Sequence, residues 1–516
     1  MIKKWSGILF LVLIIIVLSI FGLERYAKAK IEDALSTRLP KTITVNYKNL
    51  SVSLLQNFVE FDSLTLRIQL DAKYSHHIEN VKLKASGLSF YNYLLNDNII
   101  IEKVKVNHPF IKIFKESEIV EDSFTNELSL EVTSEVLPII IESLQITNGK
   151  ILQHTIHSEE PKFSINRIQL QLENLAFTEK TVKQNIPFTF SSAQGRIHQI
   201  TYYTDYYEVF KVENVAVKRN QIVMENTSYK TKVSKRELSK LIKTERDYVH
   251  LEVPVITIDA PQISHVQDSL QLAISKLVTV SPKARFYRDK RLPDDTSYKK
   301  SYGQLLKELP FQLQIDTTQI QKGYISYQEE TENSVQPEAL YFSDLDASIF
   351  NLSSLADTCK IKINTLLMGA APLTLDWNFG IAKNTDQFSL SGTILHLNAQ
   401  VFNPFLTSNL QSKASGKVEE LYFTSYGNNQ MAKGNMKMKY KDFEFKVLKK
   451  DRLGVNKFLT AVGRLLINNG SKTDKNGYRY GQIETKRNPE KSFFNYLWLQ
   501  VRDGMISTMV GNGKKE

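Results

Sequence analysis

The chain has a single cysteine, Cys359, among its 516 residues. It can therefore form no internal disulfide and no cysteine-based metal site, whereas a secreted eukaryotic ectodomain of this size usually carries several disulfides. A bacterial periplasm, where proteins can fold without disulfides, fits this composition better. Proline and glycine are also scarce, at 14 and 21 residues, which excludes a collagen-like tract and a long disordered linker. We therefore expect a folded body that is too long for one ordinary core.

Catalytic signatures are missing as well. The sequence has no H-E-x-x-H, no G-x-S-x-G and no P-loop, and its nine histidines are scattered. A charged loop, Asp289-Lys290-Arg291 with Asp294-Asp295, is interpreted as solvated and not as a cation site. The net charge of +11 is dispersed without a dense basic run, so nucleic acid is not an expected partner. We predict a protein that is not an enzyme and that uses no metal and no cofactor.

The longest apolar run lies near the N-terminus. Residues 8–23 are almost entirely apolar, and Trp5 and Tyr26 flank them where interfacial aromatic residues belong. A helix from Trp5 to Tyr26 would be about 33 Å long, which is enough to cross the core of a bilayer. We expect a cytoplasmic N-terminus at 1–6, a transmembrane helix at 7–26 and the remaining chain outside the cytoplasm. A cleaved signal peptide is the alternative, because Ala27-Lys28-Ala29 has the small-x-small spacing of a cleavage site.

A degenerate strand pattern recurs along the body of the chain. Apolar residues alternate with polar ones, shift phase by one position, alternate again and are followed by Pro or Gly and then, two positions on, by Ile. We interpret each copy as two short strands around the phase shift, then a turn at the Pro or Gly and a returning strand. The apolar positions of the four copies are Ile99, Ile101, Val104 and Val106; Ile139, Ile141, Leu144 and Ile146; Leu251, Val253, Ile256 and Ile258; and Leu313, Ile315 and Ile320.

Helical patterns are few, and the longer ones lie at the C-terminal end. A capping box, Ser234-x-x-Glu237, opens a short helix, and residues 453–468 form an amphipathic segment. Residues 489–510 predict a further helix with a break near Asp503-Gly504. We expect the apolar residues of this last helix to close one end of the sheet. They are Phe493, Phe494, Leu497 and Trp498.

This shortage of helices limits how the apolar sheet faces can be covered. A closed barrel, a sheet folded on itself and a groove filled by an apolar ligand each satisfy the pattern. A groove of this kind that is anchored in a membrane would take lipid chains, whereas a self-filled core would be an ordinary β-sandwich or jelly roll. Alternation of residues alone leaves these alternatives open.

Both ends of the chain resemble a known family. The strand-like segment after the apolar run, residues 31–66, and the segment 85–113 are similar to the start of AsmA-like proteins, which are relatives of TamB. The stretches 416–440 and 486–505 resemble the end of such proteins, with an Arg before the last helix and a Gly near its close. These motifs are strand and helix patterns without invariant catalytic residues.

The resemblance implies a mainly β fold, with an N-terminal transmembrane helix followed by an elongated, twisted antiparallel β-sheet that forms an apolar groove. It divides the body into an AsmA-like N-terminal β-rich region, a middle β-repeat region and an AsmA-like C-terminal region, at 27–245, 246–400 and 401–516. It also implies an inner-membrane protein of a diderm bacterium whose bulk lies in the periplasm.

The function implied by the resemblance is binding or transfer of phospholipids in envelope and outer-membrane biogenesis, since the family belongs to the bridge-like lipid-transfer group. The apolar positions of the four copies would line the groove. The expected partners are membrane phospholipids and, beyond them, other envelope proteins. The alternative is an envelope scaffold with a self-filled β core, which would act through protein–protein contacts such as strand addition.

Overall fold

The computed structural model describes residues 2–37, 42–69, 74–89, 99–115, 138–155, 160–182, 188–266, 269–332, 336–381, 386–410, 412–447, 473–511 and 513, with the backbone alone at 2–18, 74, 115, 182, 265–266, 410 and 445–447. Over these ranges the protein is mainly β, as the sequence predicts, with 23 strands in one mixed sheet and six helices. Most strand pairs are antiparallel, so the prediction of an antiparallel sheet is correct only in part. The helix predicted at 453–468 lies outside the described residues.

The chain divides into two compact units, of which unit 1 comprises Met1–Thr204 and Lys211–Met224, and unit 2 comprises Asp205–Phe210 and Glu225–Glu516. The elements as far as residue 231 are α1 (Ile2–Thr37), β1 (Ile43–Asn46), β2 (Asn49–Ser53), β3 (Phe58–Gln69), β4 (Tyr74–Leu88), β5 (Ile99–Asn107), β6 (Phe110–Lys115), β7 (Ile139–Thr155), β8 (Phe163–Phe177), α2 (Glu179–Val182), β9 (Ser192–Tyr203), β10 (Glu208–Lys218) and β11 (Gln221–Thr231).

The remaining elements all belong to unit 2. They are α3 (Lys235–Leu241), β12 (Asp247–Asp259), β13 (Gln262–Val266), β14 (Ser269–Val280), β15 (Lys283–Asp289), α4 (Tyr302–Lys307), β16 (Gln312–Glu330), β17 (Ala339–Ser353), β18 (Thr358–Leu367), β19 (Ala371–Gly380), β20 (Phe388–Asn398), a 3-10 turn (Ala399–Phe402), α5 (Asn403–Leu410), β21 (Ser412–Gly427), β22 (Met431–Val447), β23 (Arg479–Lys486) and α6 (Phe493–Val510).

Strands β4–β8 form a module in unit 1, called module A. Strand β4 is antiparallel to both β5 and β6, and these two are parallel to β7. Strand β7 is in turn antiparallel to β8. The sheet is mixed because it contains these two parallel pairs beside the antiparallel ones. Parallel strands need a crossover connection, since a hairpin joins only antiparallel strands.

Strands β12–β17 repeat this arrangement in unit 2 and are called module B. Strand β12 is antiparallel to β14 and β15, and β14 and β15 are parallel to β16. Strand β16 is antiparallel to β17. The two modules therefore share the same order of strand directions, an internal repeat of larger scale than the short sequence pattern.

The predicted turn at the Pro or Gly of each copy is wrong. At His108-Pro109 the chain continues in the same direction from β5 to β6, because both strands are parallel to β7. His108 has a φ of 54° and Asn148, opposite it in β7, a φ of 52°. The neighbouring backbone bonds persist, from the His108 N–H to the Thr147 carbonyl and from the Lys150 N–H to the Pro109 carbonyl, both 2.8 Å long. The Pro therefore occupies a position within a continuing strand where the ladder needs no N–H donor.

The C-terminal part of unit 2 is an antiparallel meander, β17–β23, with a packed core. Each strand pairs with the next one along the chain, and α6 packs against β21, β22 and β23. Helix α6 is capped by Ser492 and is continuous through Gly504, so the predicted break is wrong. A Cβ at Gly504 would lie 2.8 Å from Met436 Cε and 3.0 Å from Ile483 Cγ1. The glycine thus allows close helix-to-sheet packing and does not end the helix.

The short helix α3 begins as the sequence predicts, with the complete capping box between Ser234 and Glu237. The N-terminal helix α1 spans Ile2–Thr37, and Glu24 accepts a 2.7 Å hydrogen bond from the Leu54 N–H beside β2. In the part of the chain that the structure describes, no helix is both long enough and apolar enough to span a membrane.

Candidate functional site

The register of module A brings the repeat residues into rows that cross the sheet. Each row contains one residue from β5, its parallel neighbour in β7 and the antiparallel neighbour of that residue in β8. Because residues opposite one another in a sheet project to the same side, each row is a continuous apolar stripe. The rows are Ile99–Ile139–Phe177, Ile101–Ile141–Leu175, Val104–Leu144–Leu172 and Val106–Ile146–Leu170.

The phase shift between the second and third rows has a backbone origin. Gly87 in β4 has a φ of 69° and Asn174 in β8 a φ of 50°, and both lie between these two rows. Residue pairing on either side of Asn174 keeps one register, from Ile141–Leu175 to Leu144–Leu172. The phase shift therefore coincides with left-handed residues in the flanking strands β4 and β8, and the pairing of the ladder is preserved.

Module B has corresponding rows in unit 2. They are Ile274–Ile315–Leu352, Leu277–Thr318–Ile349 and Thr279–Ile320–Ala347. Asn351 lies between the first two of these rows and has a φ of 56°, as Asn174 has in module A. Ser281-Pro282 corresponds to His108-Pro109, since the Ser281 N–H and the Pro282 carbonyl make the same bonds to β16, at 2.7 and 2.8 Å.

Strands β14 and β15 are a fifth copy of the pattern, which the sequence did not reveal. Thr279 and Ala284 occupy positions where the other copies have larger apolar residues, and these two substitutions hide the periodicity. The signal that could have found the copy is the run Leu272, Ile274 and Leu277 before Pro282. The third predicted copy lies antiparallel to this strand, with Ile256 opposite Thr279, Ile258 opposite Leu277 and Leu251 opposite Ala284.

The predicted lining residues are apolar but incompletely covered. Val104, Val253 and Ile315 are each 6% exposed, and the other residues of the four copies are half-buried. Helix α1 has its main packing against β2 and α6 against β21, β22 and β23, whereas α5 contacts β21 and β17. The β17 row residues Ile349 and Leu352 of module B pack partly against the core of unit 2. The connection from β6 to β7, residues 116–137, lies outside the described residues. The rows are therefore the candidate site for an apolar ligand.

The end of unit 2 is filled by its own side chains. Phe493 of α6 stacks on Trp377 with ring centroids 4.6 Å apart, and Leu497 packs against the same core. Phe494 and Trp498 project outward and are 63% and 53% exposed. Of the four residues expected to close the sheet, the structure brings two into the core and leaves two on the surface.

The flanking residues of the apolar run are only partly described. Tyr26 is 62% exposed, and the Lys30 ammonium lies 5.8 Å from the centre of its ring. The side chain of Trp5 lies outside the described residues, as do those of residues 8–18 in the apolar run.

The charged loop predicted to be solvated is instead part of an ion-pair network in unit 2. Glu245 is buried and is paired with Lys290, with Lys491 at 2.9 Å and with Arg288 at 3.7 Å. Asp289 is also buried, and its hydrogen bonds from Arg291 lower the pKa of its carboxyl group. The described residues contain no group of three or more His, Cys, Asp or Glu side chains suited to a metal ion. The network binds the loop to the sheet.

No protein-family model matches the chain, and no curated protein is significantly similar to it in sequence. The comparisons therefore identify no family, and the AsmA-like resemblance remains a prediction that rests on the strand and helix patterns.

Proposed function

We propose that the protein is a non-enzymatic, membrane-anchored periplasmic protein that binds phospholipids and helps to transfer them. The acyl chains would lie along the apolar rows of modules A and B. The observation that supports this proposal is the repetition of cross-strand apolar rows in which most residues are half-buried; the buried ones are Val104, Leu172 and Leu175 in module A and Ile274, Ile315, Thr318 and Ala347 in module B. An apolar surface of that kind marks a binding site when it is contiguous.

The geometry favours chains of methylene groups over a compact ligand. Neighbouring rows are two residues apart along a strand, as Val104 and Val106 are, except at the phase shift. Within a row, the residues of adjacent strands are separated by the strand spacing of about 4.8 Å. A flexible acyl chain can follow such a stripe, and each methylene group that leaves water contributes about 0.8 kcal/mol. The resemblance to AsmA-like proteins points to the same ligand class.

The test uses a phosphatidylethanolamine that carries a photoreactive diazirine in its acyl chain. The double variant Ile146→Glu, Ile320→Glu places one carboxylate in a row of each module, and we expect at least a tenfold loss of photo-crosslinking, because a charge in an apolar contact must be desolvated. The matched control is Gln145→Glu, Gln319→Glu, which introduces the same charges one position away, where alternation turns the side chain to the other side of the sheet.

Two results would count against lipid binding. Equal crosslinking in the double variant and the wild type would show that the rows do not hold the acyl chain. Global unfolding of the double variant, seen as loss of the thermal transition, would show that Ile146 and Ile320 belong to an ordinary packed core.

Membrane anchorage is a separate part of the proposal. It assigns residues 7–26 to the cytoplasmic membrane and rests on the apolar run and on its flanking aromatic residues. Extraction of cell membranes at alkaline pH tests it, because an integral protein remains in the pellet and a peripheral one is released. Release of the full-length chain would overturn the anchor without affecting the acyl-chain site.

A further inference from the structure

The C-terminal sheet of unit 2 has a polar side opposite its packed core. In β21 and β22 the residues that face the core include Phe423 and Met436, which are 3% and 1% exposed. The residues next to them in each strand face the other side of the sheet. One row on that other side crosses five strands. It consists of Thr374, Thr393, Tyr422, Lys437 and Tyr480.

A second row lies beside the first, one pleat along the strands. It consists of Asp376, Ser391, Thr424, Asn435 and Gln482. Together the two rows supply ten of the sixteen residues that line a concave cavity of about 650 Å³, which is within the range of ligand sites. The other six are Gly392, Phe423, Met436, Gly481, Ser507 and Gly511. None of the ten residues is a large aliphatic one, so the surface differs in chemistry from the apolar rows of modules A and B.

The aromatic residues of this cavity are held in place by carboxylates. Glu420 accepts hydrogen bonds of 2.6 Å from both the Tyr422 and the Tyr478 hydroxyl groups, and the Lys437 ammonium lies 4.5 and 4.7 Å from the centres of the two rings. The Tyr480 hydroxyl donates a 2.8 Å bond to Asp474. The ring orientations are therefore fixed before any ligand binds, which lowers the entropic cost of binding.

The second row supplies hydrogen-bonding groups that the protein itself does not use. Among the residues that the structure describes, Asp376, Thr424 and Asn435 make no side-chain hydrogen bond or ion pair, and all three are exposed. They offer a carboxylate acceptor, a hydroxyl and an amide that both donates and accepts. A ligand with many hydroxyl groups would match this set, because each hydroxyl also donates and accepts.

The charge of the lining selects among polar ligands. Lys437 and Asp376 are the ionised side chains of the two rows, and their charges cancel. An anion would meet the Asp376 carboxylate, and a cation would meet Lys437. Tyrosine rings present an apolar face with a polar edge, which suits the C–H face of a sugar ring. We propose that this cavity binds a neutral oligosaccharide, at a site separate from the acyl-chain rows.

The experiment is saturation-transfer NMR on the full-length protein with maltotriose, cellotriose and N-acetylchitotriose as probes. We expect saturable binding of at least one trisaccharide and, in Asn435→Leu, about a tenfold weaker affinity, as the loss of hydrogen bonds to a ligand entails. The matched control is Asn364→Leu. Asn364 is opposite Thr374 on the next strand and is exposed on the same side, but lies outside the cavity lining.

A second variant guards against misfolding. Lys437→Met keeps the length of the side chain between the two tyrosine rings and removes its charge, and we expect it to weaken sugar binding while the melting temperature stays near that of the wild type. Binding of none of the three sugars, equal loss in Asn364→Leu, or displacement of bound sugar by inorganic phosphate would overturn the proposal. Acyl-chain crosslinking is expected to be unchanged in every one of these variants, so the two proposals can fail separately.

Discussion

At the scale of single residues, Glu245 is a buried carboxylate that holds three cationic side chains of unit 2. Its side chain is 2% exposed and pairs with Lys290, Lys491 and Arg288. A buried carboxylate must recover its lost hydration from such partners. Lys290 follows β15 and Lys491 precedes α6, so one carboxylate joins two segments that are far apart in sequence.

Replacement of Glu245 tests this role. In Glu245→Gln three cations lose their shared partner, and we expect the free energy of unfolding to fall by about 3 kcal/mol. Urea unfolding followed by the fluorescence of buried Trp377 measures it. The matched control is Glu484→Gln, because the Glu484 side chain is 63% exposed and pairs with Lys433 at 3.5 Å. That change should cost less than about 1 kcal/mol, and equal costs would contradict a special role for Glu245.

Glu252 predicts a dependence of stability on pH. Hydrogen bonds from Lys230 and then His250 lower the pKa of its carboxyl group from 4.5 to about 2. A pKa lowered in the folded state stabilises it above the unfolded value, and this contribution is lost as the pH falls from 4.5 towards 2. Because the side chain is 42% exposed, screening limits the effect to about 1 kcal/mol or less.

The measurement compares unfolding free energies at about pH 6 and about pH 3, a window that includes much of the pH range, from 4.5 towards 2, in which this stabilisation is lost. We expect Glu252→Gln to lose less stability across this window than the wild type does. Parallel losses in the two proteins would show that the Lys230 contact does not contribute to folding.

At the scale of elements, the two modules show which backbone conformations the strands require. Gly87 lies between the pairs Ser86–Lys103 and Leu88–Ile101, and Ala260 lies between Asp259–Lys276 and Gln262–Ala273. Both residues have positive φ, 69° and 47°. Module A thus has glycine where module B has alanine, although a left-handed conformation costs a residue with a Cβ about 1–2 kcal/mol.

Ala260→Gly should therefore stabilise the protein by about 0.5–1 kcal/mol, since relief of the strain exceeds the entropic cost of glycine. The control, Ala273→Gly in the regular part of β14, should destabilise it by a similar amount. Thermal unfolding of both variants shows whether each substitution stabilises or destabilises the protein. A lower melting temperature for Ala260→Gly would show that the alanine is not strained.

At the scale of the whole molecule, the two units differ in how much apolar surface they bury. The large core cluster extends from Cys359 to Met509 and lies within unit 2, where α6 covers the sheet. In the described part of unit 1, module A contributes fewer fully buried apolar residues, among them Val81, Leu172 and Leu175. Local stability follows burial, so the units should open at different free energies.

Hydrogen exchange measured by mass spectrometry on the full chain tests this difference. We expect the slowest exchange in β18–β23 and α6 and faster exchange in β4–β8. Added phospholipid should slow exchange in β4–β8 and leave β18–β23 unchanged, because acyl chains would cover the module and the core is already filled. Uniform protection without lipid would contradict the inferred gradient.

The sequence by itself determined the mainly β fold, the capping box at Ser234 and the repeat residues that β5, β7 and β16 contribute to the apolar rows. Alternation and capping are local properties, so they can be read from neighbouring residues. It also indicated a helix near the C-terminus, but not that Gly504 lies inside it, because that depends on contact with Met436 and Ile483.

Only the tertiary structure decided which strands are neighbours. Pairing showed that His108-Pro109 lies within a continuing strand, that β14 and β15 are a further copy, and that β4–β8 and β12–β17 are equivalent modules. The tertiary structure also brings together the partners of Glu245 and the polar rows around Asn435, which come from separate strands and loops. These features depend on contacts between residues distant in sequence, which periodicity cannot encode.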